Sequence, residues 1–175
     1  QTRKAEEIVT SVRSYAKEQK LKKSPLSVNE VVTEAVKDFT STLQDYPLQI
    51  EFEEDPRSPI CSLAPLEFEL AVFNLLKNAK EALKAQKADE PKVFIKISSG
   101  ETHCFVDISD NGAVISDSDF ERMGSVFKSG KASGLGIGLS IVRSIVQNHN
   151  GSLVLERGKN GGLVCRIRLP IFNAE

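Results

Sequence analysis

The sequence predicts an α+β two-layer sandwich: a mixed sheet of about five strands with three helices on one face, plus an N-terminal helix. Two observations predict it. A long amphipathic segment opens at Ala64-Pro65, and pairs of short alternating apolar segments follow it at 93–108 and 153–169. The order helix, strand, helix, strand, strand, loop, helix, strand, strand then packs most simply as helices lying across one sheet face. No internal repeat competes with this reading.

Residues 1 to 23 are polar and helix-prone, with Ile8, Val12 and Tyr15 as one thin apolar stripe. A helix this polar needs a partner, either another chain or the second arm of a hairpin. Lys22-Lys23-Ser24-Pro25 breaks it. Ser27-Val28-Asn29-Glu30 is a Ser-x-x-Glu capping box, and the helix behind it carries Val31, Val32, Ala35, Val36 and Phe39. Leu48-Gln49-Ile50-Glu51-Phe52 alternates as a strand, and Pro56 and Pro59 punctuate a turn. Pro65 suits a first helical position. From there a helix runs to Gln86, with Phe68, Val72, Leu75, Ala79 and Ala82 on one face.

Val93, Ile95 and Ile97 form the next strand, Ser99-Gly100 the turn, and Phe105 to Ile108 the return. Residues 110–133 have weak periodicity and few large apolar side chains, so they predict a long loop with room for one short helix. Loops of that length inside a compact domain are usually functional or disordered. A glycine-rich stretch from Gly134 leads into a helix from Leu139 to Asn148, ended by Gly151. Leu153 to Glu156 and Leu163 to Leu169 are the closing strands.

Composition excludes several classes. With 23 Lys+Arg against 24 Asp+Glu, there is no electrostatic reason to expect nucleic acid as a partner. No apolar run reaches the roughly 18 residues of a membrane span, and no signal-peptide pattern opens the chain. Cys61, Cys104 and Cys165 are odd in number and widely spaced, which argues against a disulfide framework or a zinc site. Cys104 and Cys165 lie in apolar runs as small core residues, and a reducing compartment fits them.

Three features carry chemistry. Asn74, Asn78 and Glu81 share one stripe of the long helix beside its apolar face. An amide oxygen is a hard ligand suited to Mg²⁺; a solvated helix face is the plainer account of the stripe alone, although Asn is a poor helix former. Asp110-Asn111-Gly112 follows an apolar strand. It is either an ordinary turn or a carboxylate held at a strand end to accept from a base amino group. Gly134-Leu135-Gly136-Ile137-Gly138-Leu139 opens a helix, where small residues permit close backbone approach and a helix N-terminus favours phosphate. By itself it reads equally as a hinge, and it is neither a Walker A loop nor a dinucleotide fingerprint.

In this order the motifs resemble the histidine kinase catalytic domain of the GHKL ATPase superfamily, with its Bergerat-type ATP-binding fold. Asn74-Leu-Leu-Lys-Asn78-Ala-Lys-Glu81 resembles its N box, Asp110-Asn-Gly112 its G1 box, Phe127-Lys128-Ser129-Gly130-Lys131 the F-box end of its ATP lid, and Gly134 to Leu139 its G2 box. The resemblance covers residues 26 to 170. It implies ATP and Mg²⁺ as cofactors and phosphoryl transfer to a histidine. Asn78 is then the Mg²⁺ ligand, Asn74 lies close to the phosphates, and Asp110 accepts from the adenine amino group with Gly112 beside it. Gly134, Gly136 and Gly138 hold the phosphates and the lid end, with Leu139 continuing that motif. Lys131, with Lys77 or Lys128, neutralises phosphate charge. Asn74, Asn78 and Lys131 are the implied catalytic set, and Lys77, Glu81 and Phe127 join the nucleotide-binding set.

The resemblance further implies that residues 1–24 end a dimerisation and phosphoacceptor hairpin, that 25–175 form the catalytic domain, and that the acceptor histidine lies upstream of Gln1. Implied partners are that helical domain, in the same or the partner chain, and a response regulator receiver domain. The full-length protein is expected to be a homodimer and the body alone a monomer, in the cytoplasm, as in the cytoplasmic part of a membrane-bound sensor. His103 and His149 are poor acceptors. His149 ends a helix, whose C-terminus would favour the charged imidazole.

Two departures from the family pattern weigh against this. Position 114 is Val where the G1 box usually has a second glycine, adding bulk and stiffness near the nucleotide. The lid is short. A degenerate signalling scaffold is therefore the alternative, and a serine kinase of the anti-sigma type is a third reading. A glutamate in place of Asn74 would mark a hydrolytic member, and it is absent.

Overall fold

The computed structural model describes residues 22–129 and 135–173. The helix predicted over 1–23 lies outside the described residues apart from Lys22 and Lys23. The order is β1 (Ser24–Ser27), α1 (Val28–Thr40), β2 (Gln49–Glu53), β3 (Ile60–Leu63), α2 (Pro65–Ala85), β4 (Lys92–Ser99), β5 (His103–Asp110), α3 (Asp117–Ser129), α4 (Leu135–Asn148), β6 (Ser152–Arg157) and β7 (Leu163–Pro170). The main sheet runs β2-β4-β5-β7-β6, with β2 parallel to β4 and the other pairs antiparallel. This is the predicted mixed five-stranded sheet, with α1, α2 and α4 on its apolar side.

Each local signal has a physical counterpart. Ser27 caps α1, its hydroxyl accepting from the Glu30 N–H at 3.4 Å. Pro65 sits in the first turn of α2. Inner-face Val93, Ile95, Ile97, Cys104, Val106, Ile108, Ile167 and Leu169 are all buried against the helices. Phe39 of α1 meets Phe73 of α2 edge-to-face, with ring centroids 5.5 Å apart. α2 buries a wider arc than its one predicted stripe, adding Ala71, Leu76 and Leu83, because α1 and α4 flank it while the sheet lies beneath. All three cysteines are free and buried.

The structure corrects three expectations. β1 and β3 form a separate antiparallel pair that alternation did not reveal. The predicted long loop contains a helix of 13 residues, α3, whose start is held by the Ser116 hydroxyl accepting from the Asp119 N–H at 3.2 Å. α4 begins at Leu135 rather than Leu139, so Gly136 and Gly138 lie inside a helical turn, not before it.

A fourth correction concerns charge. His149 is 2% exposed and ties α4 to the start of α2: its Nε2 accepts from the Ala64 N–H at 3.0 Å, and its Nδ1–H donates to the Ile145 carbonyl at 2.7 Å. A ring nitrogen that accepts carries no proton, so the imidazole is neutral. Burial pushes its pKa below the ordinary 6.5, outweighing the helix carbonyl that favours the cation. Because the folded-state pKa is the lower one, the unfolded chain takes up the proton first, and stability falls as pH drops below 6.5. His149→Ala should cost about 2–4 kcal/mol at neutral pH. Denaturant unfolding of the variant should also show a smaller loss of stability on acidification than the parent.

Candidate functional site

α2 presents its core side to the sheet and an upper edge to a cavity closed by β5, β7, α4 and the segment from Ile115 to Met123. The cavity is about 70 Å³ in volume. Leu75, Ala79, Ala82, Ile108, Met123, Leu139 and Leu163 make its apolar walls, and Asn78, Gln86 and Asp110 supply its polar groups. Two larger depressions, of about 180 Å³ beside Lys23 and His149 and about 880 Å³ between α1 and Glu54–Ser58, gather none of the motif residues.

Asp110 ends β5, and its carboxylate is held from two directions. Oδ1 accepts from the Gly112 N–H at 2.8 Å, and Oδ2 accepts from the Leu163 N–H at 3.2 Å. Burial raises its pKa, and the two N–H donors partly offset this by favouring the anion. The close approach depends on small residues. A methyl group at Gly112 would fall 2.7 Å from Asp110 Oδ1 and 2.7 Å from Gln86 Oε1. Gly162, at φ +74°, packs its Cα so closely over Asp110 that a methyl there would fall 2.1 Å from the Asp110 carbonyl oxygen. Gln86 accepts from the Ala113 N–H at 2.8 Å and fixes the following loop.

At the other end of the cavity, α2 meets the first turns of α4. Asn74 is buried, and its amide donates to the Leu70 carbonyl at 2.8 Å. The buried Asn78 Nδ2 has no hydrogen-bond partner, an acceptor-seeking group of the kind usually completed by a ligand. A methyl at Gly138 would lie 3.1 Å from Asn78 Oδ1 and 3.6 Å from Asn74 Oδ1, so glycine lets α4 seat against both amides.

Asn74, Asn78, Asp110, Gly112, Gly138 and Leu139 thus converge. Lys77 and Glu81 do not line the cavity: they face each other at 3.9 Å on the exposed flank of α2, because the stripe rotates away from α4 at that point. Gly136 lies in the first turn of α4, and Phe127 in α3. Lys131 and Gly134 lie outside the described residues. Val114, expected to crowd the nucleotide, is 80% exposed, keeps an ordinary negative φ and is absent from the cavity wall. Sequence reading missed Gln86, Ile115, Met123 and the pair Gly161-Gly162. That pair is the one signal available beforehand, since two adjacent glycines in a hairpin mark a constrained backbone.

The cavity has apolar walls, a fixed carboxylate at one end and a side-chain amide next to the first turns of a helix at the other, a lining of the kind found in small-molecule sites. This defines an α+β domain with a candidate small-molecule site. The chain belongs to the family described as histidine kinase-, DNA gyrase B-, and HSP90-like ATPases, which it matches over residues 64–173. It is 26% identical to sensor protein FixL of Bradyrhizobium diazoefficiens over 97% of this chain and 34% of that protein. It is 26% identical to sporulation kinase B of Bacillus subtilis over 95% of this chain and 38% of that protein. The chain therefore spans about a third of the length of such relatives. Its fold is that of histidine kinase catalytic domains. The catalytic domain of histidine kinase ThkA superposes with a TM-score of 0.71 at 24% identity, over 85% of this chain and 95% of that one. The ATP-binding domain of PrrB from Mycobacterium tuberculosis gives 0.67 at 24%, over 87% and 99%.

Gly138→Ala should separate the site from the fold. Alanine is the better helix former by about 1 kcal/mol, so thermal stability should hold or rise. Nucleotide affinity should fall, because Asn78 must give way by a few tenths of an ångström. Parallel melting and calorimetric titration would measure the two effects.

Proposed function

We propose that this chain is the ATP-binding catalytic domain of a two-component sensor histidine kinase, and that it transfers the γ-phosphoryl group of ATP to a histidine upstream of Gln1. The observation that carries the proposal is one cavity lined by both Asp110 and Asn78, with Gly138 seated against Asn78. In the reaction the bond from the γ-phosphorus to the β,γ-bridging oxygen breaks, a P–N bond forms to an imidazole nitrogen, and ADP leaves. Little covalent help is needed from the protein, so positioning and charge stabilisation dominate.

Each residue has a part in that positioning. Asp110 accepts from the adenine amino group, and its fixed anion disfavours a carbonyl at the same place, which selects adenine over guanine. The apolar walls take the ring faces. The side-chain oxygen of Asn78 would hold Mg²⁺, with its unpartnered amide nitrogen turned to a phosphate oxygen. Mg²⁺ supplies neutralisation of phosphate charge when bound. Asn74 lies one turn before Asn78 on α2 and would border the phosphates, and Lys131 would add positive charge. The donor set, hard amide oxygens beside a helix N-terminus, fits Mg²⁺ bound jointly with phosphates. Among the described residues no cluster of acidic, histidine or cysteine side chains offers an all-protein metal cage.

Partners follow from this reading: a phosphoacceptor helical domain, in the same or the other protomer of a homodimer, and a response regulator receiver domain. We place the domain in the cytoplasm. Among the described residues no helix is long and apolar enough to cross a membrane.

That Val114 is exposed and does not line the cavity supports the nucleotide-binding reading over the scaffold alternative. Calorimetry should show Mg-ATP binding in the micromolar to millimolar range and much weaker Mg-GTP binding. Asp110→Asn should weaken ATP binding about 10- to 100-fold, while Val114→Gly should leave it within about 3-fold, less than a single hydrogen bond contributes. No heat for the parent, with binding restored by Val114→Gly, would establish the scaffold instead. Supplied with an acceptor domain, the product should be acid-labile phosphohistidine; an acid-stable product would favour a serine kinase.

A further inference from the structure

Arg157 ends β6 opposite the cavity-lining Leu163, and its guanidinium engages three points of the segment that leads into and begins α3. Nη1 donates to the Ile115 carbonyl at 3.3 Å and pairs with the Asp117 carboxylate, and the guanidinium carbon lies 5.3 Å from the centroid of the Phe120 ring. A planar fork can serve a carbonyl, a carboxylate and an aromatic face together, which a lysine ammonium cannot. The ion pair alone contributes little, with Arg157 44% and Asp117 86% exposed at the side chain. The three contacts on one rigid group act jointly.

What Arg157 holds is part of the cavity wall. Ile115 and Met123, from this same segment, line the cavity. Arg157 also stands directly across the β6–β7 ladder from Leu163, whose N–H holds Asp110 Oδ2 at 3.2 Å and whose side chain lines the cavity too. One strand pair therefore joins the anchor of the carboxylate to the anchor of the opposite wall.

We propose that Arg157 is a positioning residue for nucleotide binding: it fixes the Ile115–Met123 wall at a set distance from Asp110, so that the slot is formed before the base arrives. The proposal rests on the nucleotide reading above. Without Arg157 the wall must be ordered at the moment of binding, and affinity falls by that cost.

The test compares the parent chain with Arg157→Ala, Arg157→Lys and Asp117→Asn. Hydrogen exchange without nucleotide should show faster exchange of α3 amides in Arg157→Ala, with β4 and β5 unchanged. Mg-ATP dissociation constants should rise roughly 5- to 20-fold for Arg157→Ala and by an intermediate factor for Arg157→Lys and Asp117→Asn. In phosphotransfer assays KM for ATP should rise while kcat at saturation stays near the parent value, because no phosphate is touched. Equal exchange and equal affinity in Arg157→Ala, with parent binding intact, would overturn the clamp alone. A fall in kcat without a rise in KM would also overturn it. A parent chain that binds no nucleotide would overturn the site reading, and this inference with it.

Discussion

The Asp110 carboxylate, gripped by the N–H groups of Gly112 and Leu163, is the constraint on which the site depends. A carboxylate this close to an apolar sheet end is costly to ionise unless donors are aimed at it. The chain supplies those donors from two segments far apart in sequence, the turn after β5 and the start of β7. Both must come closer than side chains allow, so glycine occupies 112 and 162. The Asp110 carboxylate, the two glycines and the β6–β7 hairpin are then one solution to one electrostatic problem, and the cavity is what remains open beside them.

α2 carries the second constraint. It fills the core on one side and shapes the cavity on the other. Asn74 and Asn78 cost helix propensity, and Asn78 leaves a buried amide nitrogen unpaired. A fold selected for stability alone would place alanine or leucine there. The tight seating of α4 at Gly138 keeps both amides in place, so the weakness is local and surrounded by well-packed residues such as Phe68, Val72 and Leu76.

Much of this was legible in the residues. The Ser27 cap, Pro65 and the alternating strands follow from short-range chemistry, whereas the convergence of Asn78 with Asp110 joins distant elements and was legible only through the family resemblance. Other features escaped for physical reasons. β1 is Ser-Pro-Leu-Ser, too short and too polar to show a period, and exists because β3 pairs with it. α3 has too few apolar residues for a clear stripe, although its Ser116 cap was readable. α4 starts early because tertiary contact with α2 outweighs the poor helix propensity of Gly136 and Gly138. The charge of His149 was misjudged because a helix C-terminus favours the cation only where water remains, and here burial decides. Val114, which the resemblance places near the nucleotide, is exposed and does not line the cavity.

The β1–β3 pair bears on how the domain is attached to what precedes it. β1 is hydrogen-bonded along its length, with Ser24 opposite Leu63 and Ser27 opposite Ile60. β3 passes within one residue into α2, the helix that holds Asn74 and Asn78. There is consequently no slack between residue 24 and the amide pair. A displacement at Lys23 is thus passed to β3 and the start of α2 rather than taken up by an unpaired linker.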